Sequence, residues 1–204
     1  LKTHSYLFNI DNNPFTDLNN TLGTIYIVRD PRNVVTSYAH HNNITVEESV
    51  FRMTNSVHYG GDIKSKHEAD RAKVYLGSWS SNFNSWKSFK EVGKYLLIKY
   101  ENLINNKEET FKEILKFIHD LKGIKFEINE SKFKNALKTT SFENMKNKEK
   151  LEGFVESKIN RNTGEKIPFF NLGSKNNWEN ILKPKIIHKI EQSFETEMKE
   201  LGYL

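Results

Sequence analysis

Arg29 and Ser37 are the residues whose types and spacing first suggest chemistry. Arg29 closes the run Thr24-Ile25-Tyr26-Ile27-Val28, and Ser37 falls in the helical pattern that follows, about two turns on. A guanidinium offers a rigid fork of N–H donors matched to phosphate oxygens, a hydroxyl adds one directional donor, and a helix N-terminus between them favours an anion. The plainer alternative pairs Arg29 with Asp30 or Glu101 and lets Ser37 bond back within its own helix, and spacing alone favours it. His40 and His41 are adjacent, so on a helix they point about 100° apart. With zero Cys in the chain and no dense carboxylate cluster nearby in sequence, they read as surface or pocket-lining groups rather than a metal pair. Trp79, Phe83 and Trp86 recur at helical spacing and read as core.

The elements that must position these residues are legible in outline. Residues 24–28 are β-branched and aromatic without polar alternation, which suits a buried strand of a parallel sheet. Asp30 is placed to cap a helix with Pro31 in its first turn and Val34, Val35, Tyr38 and Ala39 on one face. Thr45 and Glu48 form a capping box for a short helix carrying Val46, Val50 and Met53, and Ser78 can cap another that runs toward Gly93. Residues 95–98 predict a second buried strand, ending in Lys99-Tyr100-Glu101. Phe111, Ile114, Leu115, Ile118 and Leu121 predict an amphipathic helix, and Phe133 with Leu137 a shorter one. Residues 58–73 read as an irregular loop, and the charged segment 146–166 as an extended loop or lid. A last helix is expected over 184–201, with Ile187, Ile190, Phe194 and Met198 on one face. Strand, helix and strand in alternation predict an α/β domain with a largely parallel sheet, whose ligands sit beyond the carboxyl ends of the strands. That places Arg29 to Ser37 and Tyr100 to Asn102 at the expected site.

Composition narrows the function classes. A chain of 204 residues with 14 Phe, 8 Tyr and 3 Trp is one domain with material for a core, so intrinsic disorder is excluded despite a mean hydropathy of −0.69. No apolar run approaches the ~18 residues of a membrane span. Zero Cys excludes disulfides, thiolate nucleophiles and Cys-based metal sites; it fits a reducing compartment, and a cytoplasmic location is expected. A net charge of +5, spread along the chain without a contiguous basic patch, is poor evidence for a nucleic-acid partner.

Tyr26-Ile27-Val28-Arg29-Asp30-Pro31-Arg32-Asn33-Val34-Val35-Thr36-Ser37-Tyr38 resembles the 3′-phosphate-binding segment of the sulfotransferases that use 3′-phosphoadenosine 5′-phosphosulfate (PAPS). The resemblance implies that Arg29 and Ser37 bind the 3′-phosphate of PAPS and of its product PAP. Further segments follow in the family's order. Lys2-Thr3-His4 is similar to a Lys-Thr-His stretch, which implies His4 as general base and Lys2 as the cation at the sulfuryl group. Gly77-Ser78-Trp79 with Trp86 resembles the helix after the acceptor-side loop. Tyr100-Glu101-Asn102-Leu103 resembles a stretch whose Tyr contacts adenine, and Thr140, Ser141, Phe142 and Met145 match a segment lying against the same ring. Phe170, Asn171 and Gly173 fall in the segment that usually reads Phe-x-Arg-Lys-Gly before a Trp, here Trp178. Tyr6, Phe8, His58 and Tyr59 are candidates for the acceptor pocket.

Two departures accompany these matches. The family's phosphosulfate loop, a Pro-Lys-Ser-Gly-Thr-like segment, is absent, and no Gly-x-x-x-x-Gly-Lys-Ser/Thr motif replaces it. Asn171 stands where a phosphate-gripping Arg is expected, which leaves Lys175 or Arg161 as substitutes. The resemblance implies a three-layer α/β fold of the P-loop nucleotide-kinase type, one domain over 1–204 without its N-terminal strand and phosphosulfate loop. The implied activity is metal-free transfer of a sulfuryl group to a hydroxyl or amine of a small acceptor, and the alternative is a PAP-binding module without catalysis. Residues 178–184 do not reproduce the dimerisation stretch of cytosolic members, so a monomer, or a dimer made differently, is expected.

Overall fold

In the computed structural model, which describes residues 1–56, the backbone of 59 and 60, and residues 74–160 and 163–204, the chain opens with a short antiparallel hairpin. Its strands β1 (Asn9–Ile10) and β2 (Asn13–Pro14) are joined through Asp11 and Asn12, both left-handed, a conformation these side chains tolerate. β3 (Thr24–Val28) then leads through Arg29 and Asp30 into α1 (Pro31–Asn42). Asp30 caps that helix by accepting from the Arg32 N–H at 2.9 Å, and Pro31 occupies its first turn as the sequence predicts. α2 (Val46–Thr54) is capped by Thr45, which accepts from the Glu48 N–H. β4 (Tyr59–Gly60) pairs antiparallel with β5 (Val74–Tyr75); the rest of the predicted 58–73 loop lies outside the described residues.

Ser78 caps α3 (Trp79–Lys87), a 3-10 turn over Ser88–Glu91 follows, and β6 (Tyr95–Lys99) runs parallel to β3 with Thr24 opposite Tyr95 and Val28 opposite Lys99. Both strands therefore deliver their carboxyl ends to the same edge, Arg29 from one and Tyr100 from the other. Tyr100 opens α4 (Tyr100–Asn105), and α5 (Lys107–Lys122) is the predicted amphipathic helix. α6 (Glu130–Thr139) and α7 (Phe142–Glu152) precede the hairpin of β7 (Lys158–Ile159) and β8 (Lys166–Ile167). A 3-10 turn over Gly173–Lys175 leads to α8 (Trp178–Ile181), α9 (Pro184–Ser193) and α10 (Glu195–Glu200). Among the described residues no helix is long and apolar enough to cross a membrane.

Three expectations need correction. The loop predicted over 146–166 is helical as far as Glu152: Ser141 caps it, and an i,i+4 pair joins Lys148 to Glu152. The helix predicted over 184–201 breaks at Phe194, whose φ of −127° and ψ of 20° are not helical. Its apolar face nevertheless continues across the break, because Ile186, Ile190, Phe194 and Met198 are all buried with Val35, Val50 and Met53. β3 is also less enclosed than a central parallel strand. Tyr26, Val28 and Leu97 pack with Phe83 and Leu201 on one face, whereas Ile27, one residue out of phase, is 55% exposed. Among the described residues β6 is the only strand paired with β3, and a cleft of about 1170 Å³ runs along the other edge.

Candidate functional site

The strand end holds a cation that is unpaired among the described residues. Arg29 lies with its guanidinium carbon 4.3 Å from the centre of the Tyr100 ring, and its buried Nε has no hydrogen-bond acceptor among the described residues. Its two expected partners are engaged elsewhere. Asp30 is bound by Arg32, at 3.0 Å through Nε and 2.7 Å through Nη2, and Arg32 also reaches Glu191 at 2.6 Å and the Tyr203 carbonyl at 2.8 Å. Glu101 accepts from the Asp30 N–H at 3.1 Å and from the Tyr203 hydroxyl at 2.9 Å. The pairing favoured by spacing is thus displaced by contacts with the C-terminus. A buried donor without an acceptor costs free energy, so Arg29 is held ready for an anion that the described residues do not supply. The α1 N-terminus contributes less than expected, since the Asp30 carboxylate already takes the Arg32 N–H.

Ser37 does not bond back within α1 either; its Oγ accepts from the Asn176 side-chain amide at 2.9 Å. Asn176 also donates to the Asn33 carbonyl at 2.9 Å and accepts from Thr36 Oγ1 at 2.7 Å, and the Trp178 N–H donates to Asn33 Oδ1 at 3.0 Å. The segment from Gly173 to Trp178 is thereby docked along α1. Lys175, one of two expected substitutes for the missing Arg, is exposed, and its neighbour Asn176 is the residue that reaches Ser37. Arg161, the other substitute, lies outside the described residues.

The adenine-side candidates form a second group. Ser141 caps α7, Thr140 donates to the Ala136 carbonyl at 2.7 Å, and Met145 lies half-buried one turn into α7. The Phe142 and Phe170 rings meet edge to face at 6.0 Å. A Cβ on Gly173, which has φ of +57°, would stand 2.7 Å from the Phe142 ring, so this position needs glycine for both backbone and space. The Asn171 carbonyl accepts from Lys146 Nζ at 2.9 Å. The Thr140 hydroxyl is thus turned back onto α6 and not toward the other candidates.

Sequence reasoning missed the group that fastens this segment to α7. Glu149, 6% exposed, accepts from the Phe169 and Phe170 N–H groups at 2.7 and 2.9 Å and from the Ser157 hydroxyl. Burial would raise its pKa, but these hydrogen bonds, with Lys166 nearby, outweigh burial and leave the carboxyl below its usual range. Glu149→Gln sets an amide N–H against one of two backbone N–H groups and is expected to cost about 1–3 kcal/mol at neutral pH. Because the folded pKa is depressed, the carboxylate's contribution is present above the unfolded value and drains away as pH falls through the folded one. Denaturation midpoints of the two proteins should therefore differ most near neutral pH and converge below about pH 4; a gap independent of pH would refute this role for the charge.

Lys2 and His4 line the same cleft as Arg29. Lys2 pairs with Glu156 at 3.3 Å, an exposed contact of small worth that leaves the ammonium free to move. Although His4 is open to solvent on one side, burial of the rest of the ring lowers its pKa, Lys2 lowers it further, and Glu156 opposes them. His41 is lowered in the same direction, by burial first and then by Lys158. It stacks edge to face on Phe169 at 5.7 Å, whereas His40 contacts the Pro168 carbonyl at 2.9 Å and is the one of the pair that lines a pocket. Tyr6 and Phe8 are not cleft residues; Tyr6 packs on Phe8, Phe8 packs on Phe15 and Tyr75, and it is Phe15 that lines the cleft. His58 and the side chain of Tyr59 lie outside the described residues. Phe83 and Trp86 are buried as expected, and Trp79 bridges the two hydrophobic clusters. Among the described residues no cluster of His, Asp and Glu could hold a metal.

Two parallel strands flanked by helices, with a cation unpaired among the described residues at the carboxyl end of one strand and a cleft beside it, define an α/β protein with its site at the strand ends. Within that class the chain belongs to the sulfotransferase family, whose sulfotransferase-domain model matches residues 2–202. It is similar to sulfotransferase 2A1 of Rattus norvegicus, 26% identical over 175 residues that cover 85% of this chain and 56% of that protein. It is also similar to luciferin sulfotransferase of Photinus pyralis, 22% identical over 82% of this chain and 42% of that protein. The chain thus spans about half the length of these curated relatives. The fold is shared with mouse sulfotransferase SULT7A1 complexed with PAP, with a TM-score of 0.55 and 23% identity over 86% of this chain and 58% of that one.

Proposed function

We propose that the chain binds PAP and PAPS through the carboxyl ends of β3 and β6, and that in protein carrying a phosphosulfate loop it serves sulfuryl transfer to a hydroxyl or amine of a small molecule. The observation that carries this reading is the orphaned Nε of Arg29, which a 3′-phosphate would satisfy. In this assignment Arg29 grips the 3′-phosphate and Ser37 donates to it, while Tyr100 supports the guanidinium and faces the adenine. Thr140, Ser141, Phe142, Met145 and Phe170 form the rest of the adenine pocket, and Asn171 and Gly173 bring backbone close to it. PAPS, when bound, supplies an activated sulfuryl group. His4 takes the acceptor's proton, for which a lowered pKa keeps the imidazole neutral near pH 7. Lys2, released from Glu156, places a cation where negative charge develops.

Calorimetric titration with PAP and with adenosine 5′-phosphate tests the binding step. PAP is expected to bind at least about tenfold more tightly, because only it offers a 3′-phosphate to Arg29 and Ser37. Equal affinities would sink the reading. Binding of PAP without transfer of labelled sulfate, in protein that includes a phosphosulfate loop, would select the non-catalytic alternative.

A further inference from the structure

Asn176 is 6% exposed and its side-chain amide is fully committed. One N–H goes to the Asn33 carbonyl, the other to Ser37 Oγ, and Oδ1 receives the Thr36 hydroxyl. A carbonyl can only accept, so the nitrogen must face Asn33 and the orientation of the amide is fixed. The consequence falls on Ser37. A hydroxyl has a single proton and two lone pairs, and here one lone pair is taken by Asn176. The Asn33 carbonyl, the usual acceptor for back-bonding by a helical Ser37, already accepts from the Asn176 amide. Among the described residues Ser37 makes no hydrogen bond as a donor, so its proton is left for a ligand.

We infer that Asn176 is a positioning residue for 3′-phosphate recognition, making Ser37 a dedicated donor by occupying its oxygen from behind. The inference rests on the proposed PAP-binding function and deepens it, since Asn176 also ties Gly173 and its neighbours to the helix that carries Ser37. An N–H given to the hydroxyl oxygen polarises the O–H, which strengthens its onward bond to an anion. Asn176 thereby contributes to phosphate recognition in a chain that has Asn171 where an Arg was expected.

The test is the ratio of affinities for PAP and adenosine 5′-phosphate, measured by calorimetry for the unaltered protein, Asn176→Ala, Asn176→Asp, Ser37→Ala and the Ser37→Ala/Asn176→Ala double variant, with thermal melts alongside. A residue that merely braces the fold would lower the melting temperature or weaken both ligands together, leaving the ratio alone. Ser37→Ala should lower the ratio about tenfold. Asn176→Asp should lower it at least as far, since the carboxylate captures the Ser37 proton and repels the phosphate. Asn176→Ala should lower it severalfold on its own but by less than about twofold once Ser37 is gone, because the effect travels through that hydroxyl. Should Asn176→Asp fail to fold, the cycle with Asn176→Ala decides alone. An unchanged ratio in the Asn176 variants, or the same fall with and without Ser37, overturns the inference while the function stands. A ratio near one in the unaltered protein overturns the function and this inference with it.

Discussion

Arg29→Ala is expected to weaken PAP binding by about 2–3 kcal/mol, some 30- to 150-fold, while adenosine 5′-phosphate loses little. The asymmetry follows from what Arg29 touches. Its stacking on Tyr100 would survive in neither case, but only PAP forfeits a charge-assisted contact to a 3′-phosphate. Arg29→Lys should recover part of the loss, since an ammonium keeps the charge but has neither the fork nor the flat face that lies on the ring. The same variants should melt at or above the temperature of the parent without ligand. Asp30 and Glu101 have other partners, so among the described residues removing Arg29 breaks no ion pair and relieves a buried, unsatisfied Nε. A marked loss of stability, or an equal loss of affinity for both nucleotides, would show that Arg29 is structural.

That outcome also separates what could be read from the sequence from what could not. The strand, turn and helix around Arg29 were legible because their signals are local: an apolar run, Asp30 as cap, Pro31 in the first turn. Whether Arg29 was free was not legible. Two carboxylates lie nearby in sequence, and only contacts from Glu191 and Tyr203 draw Arg32 onto Asp30. α7 escaped notice because its buried residue is Glu149 and it has no apolar stripe to betray it. Asn176 was hidden in an Asn-rich composition, and its partner Thr36 is 140 residues away. Buried polar residues satisfied across such distances leave no periodicity, yet here they fasten the site. Glu149 fixes the backbone of Phe169 and Phe170, Asn176 fixes Ser37, and Arg32 keeps Asp30 away from Arg29.

In protein that turns over PAPS, His4→Ala is expected to lower turnover about 10²-fold or more with little change in PAP affinity, because the role proposed for His4 is to take the acceptor's proton and not to hold the 3′-phosphate. The pH profile makes the assignment specific. A base acts when neutral, so the rate should rise with pH through the His4 pKa and level off above it. Burial and Lys2 hold that pKa below the ordinary imidazole value of about 6.5, so the acid limb should lie below it. Lys2→Ala should slow turnover and also move the limb up, since a cation that disfavours the imidazolium is gone. Glu156→Gln should move it down, removing the charge that favours the imidazolium. His41 also lies within electrostatic range of His4, and it titrates in the same direction for similar reasons. The two are told apart by which substitution abolishes the limb. Near-normal turnover in His4→Ala, with an acceptor whose hydroxyl is un-ionised at the assay pH, would exclude His4 as the base. A limb that then vanished in His41→Ala would move the role to the imidazole that stacks on Phe169.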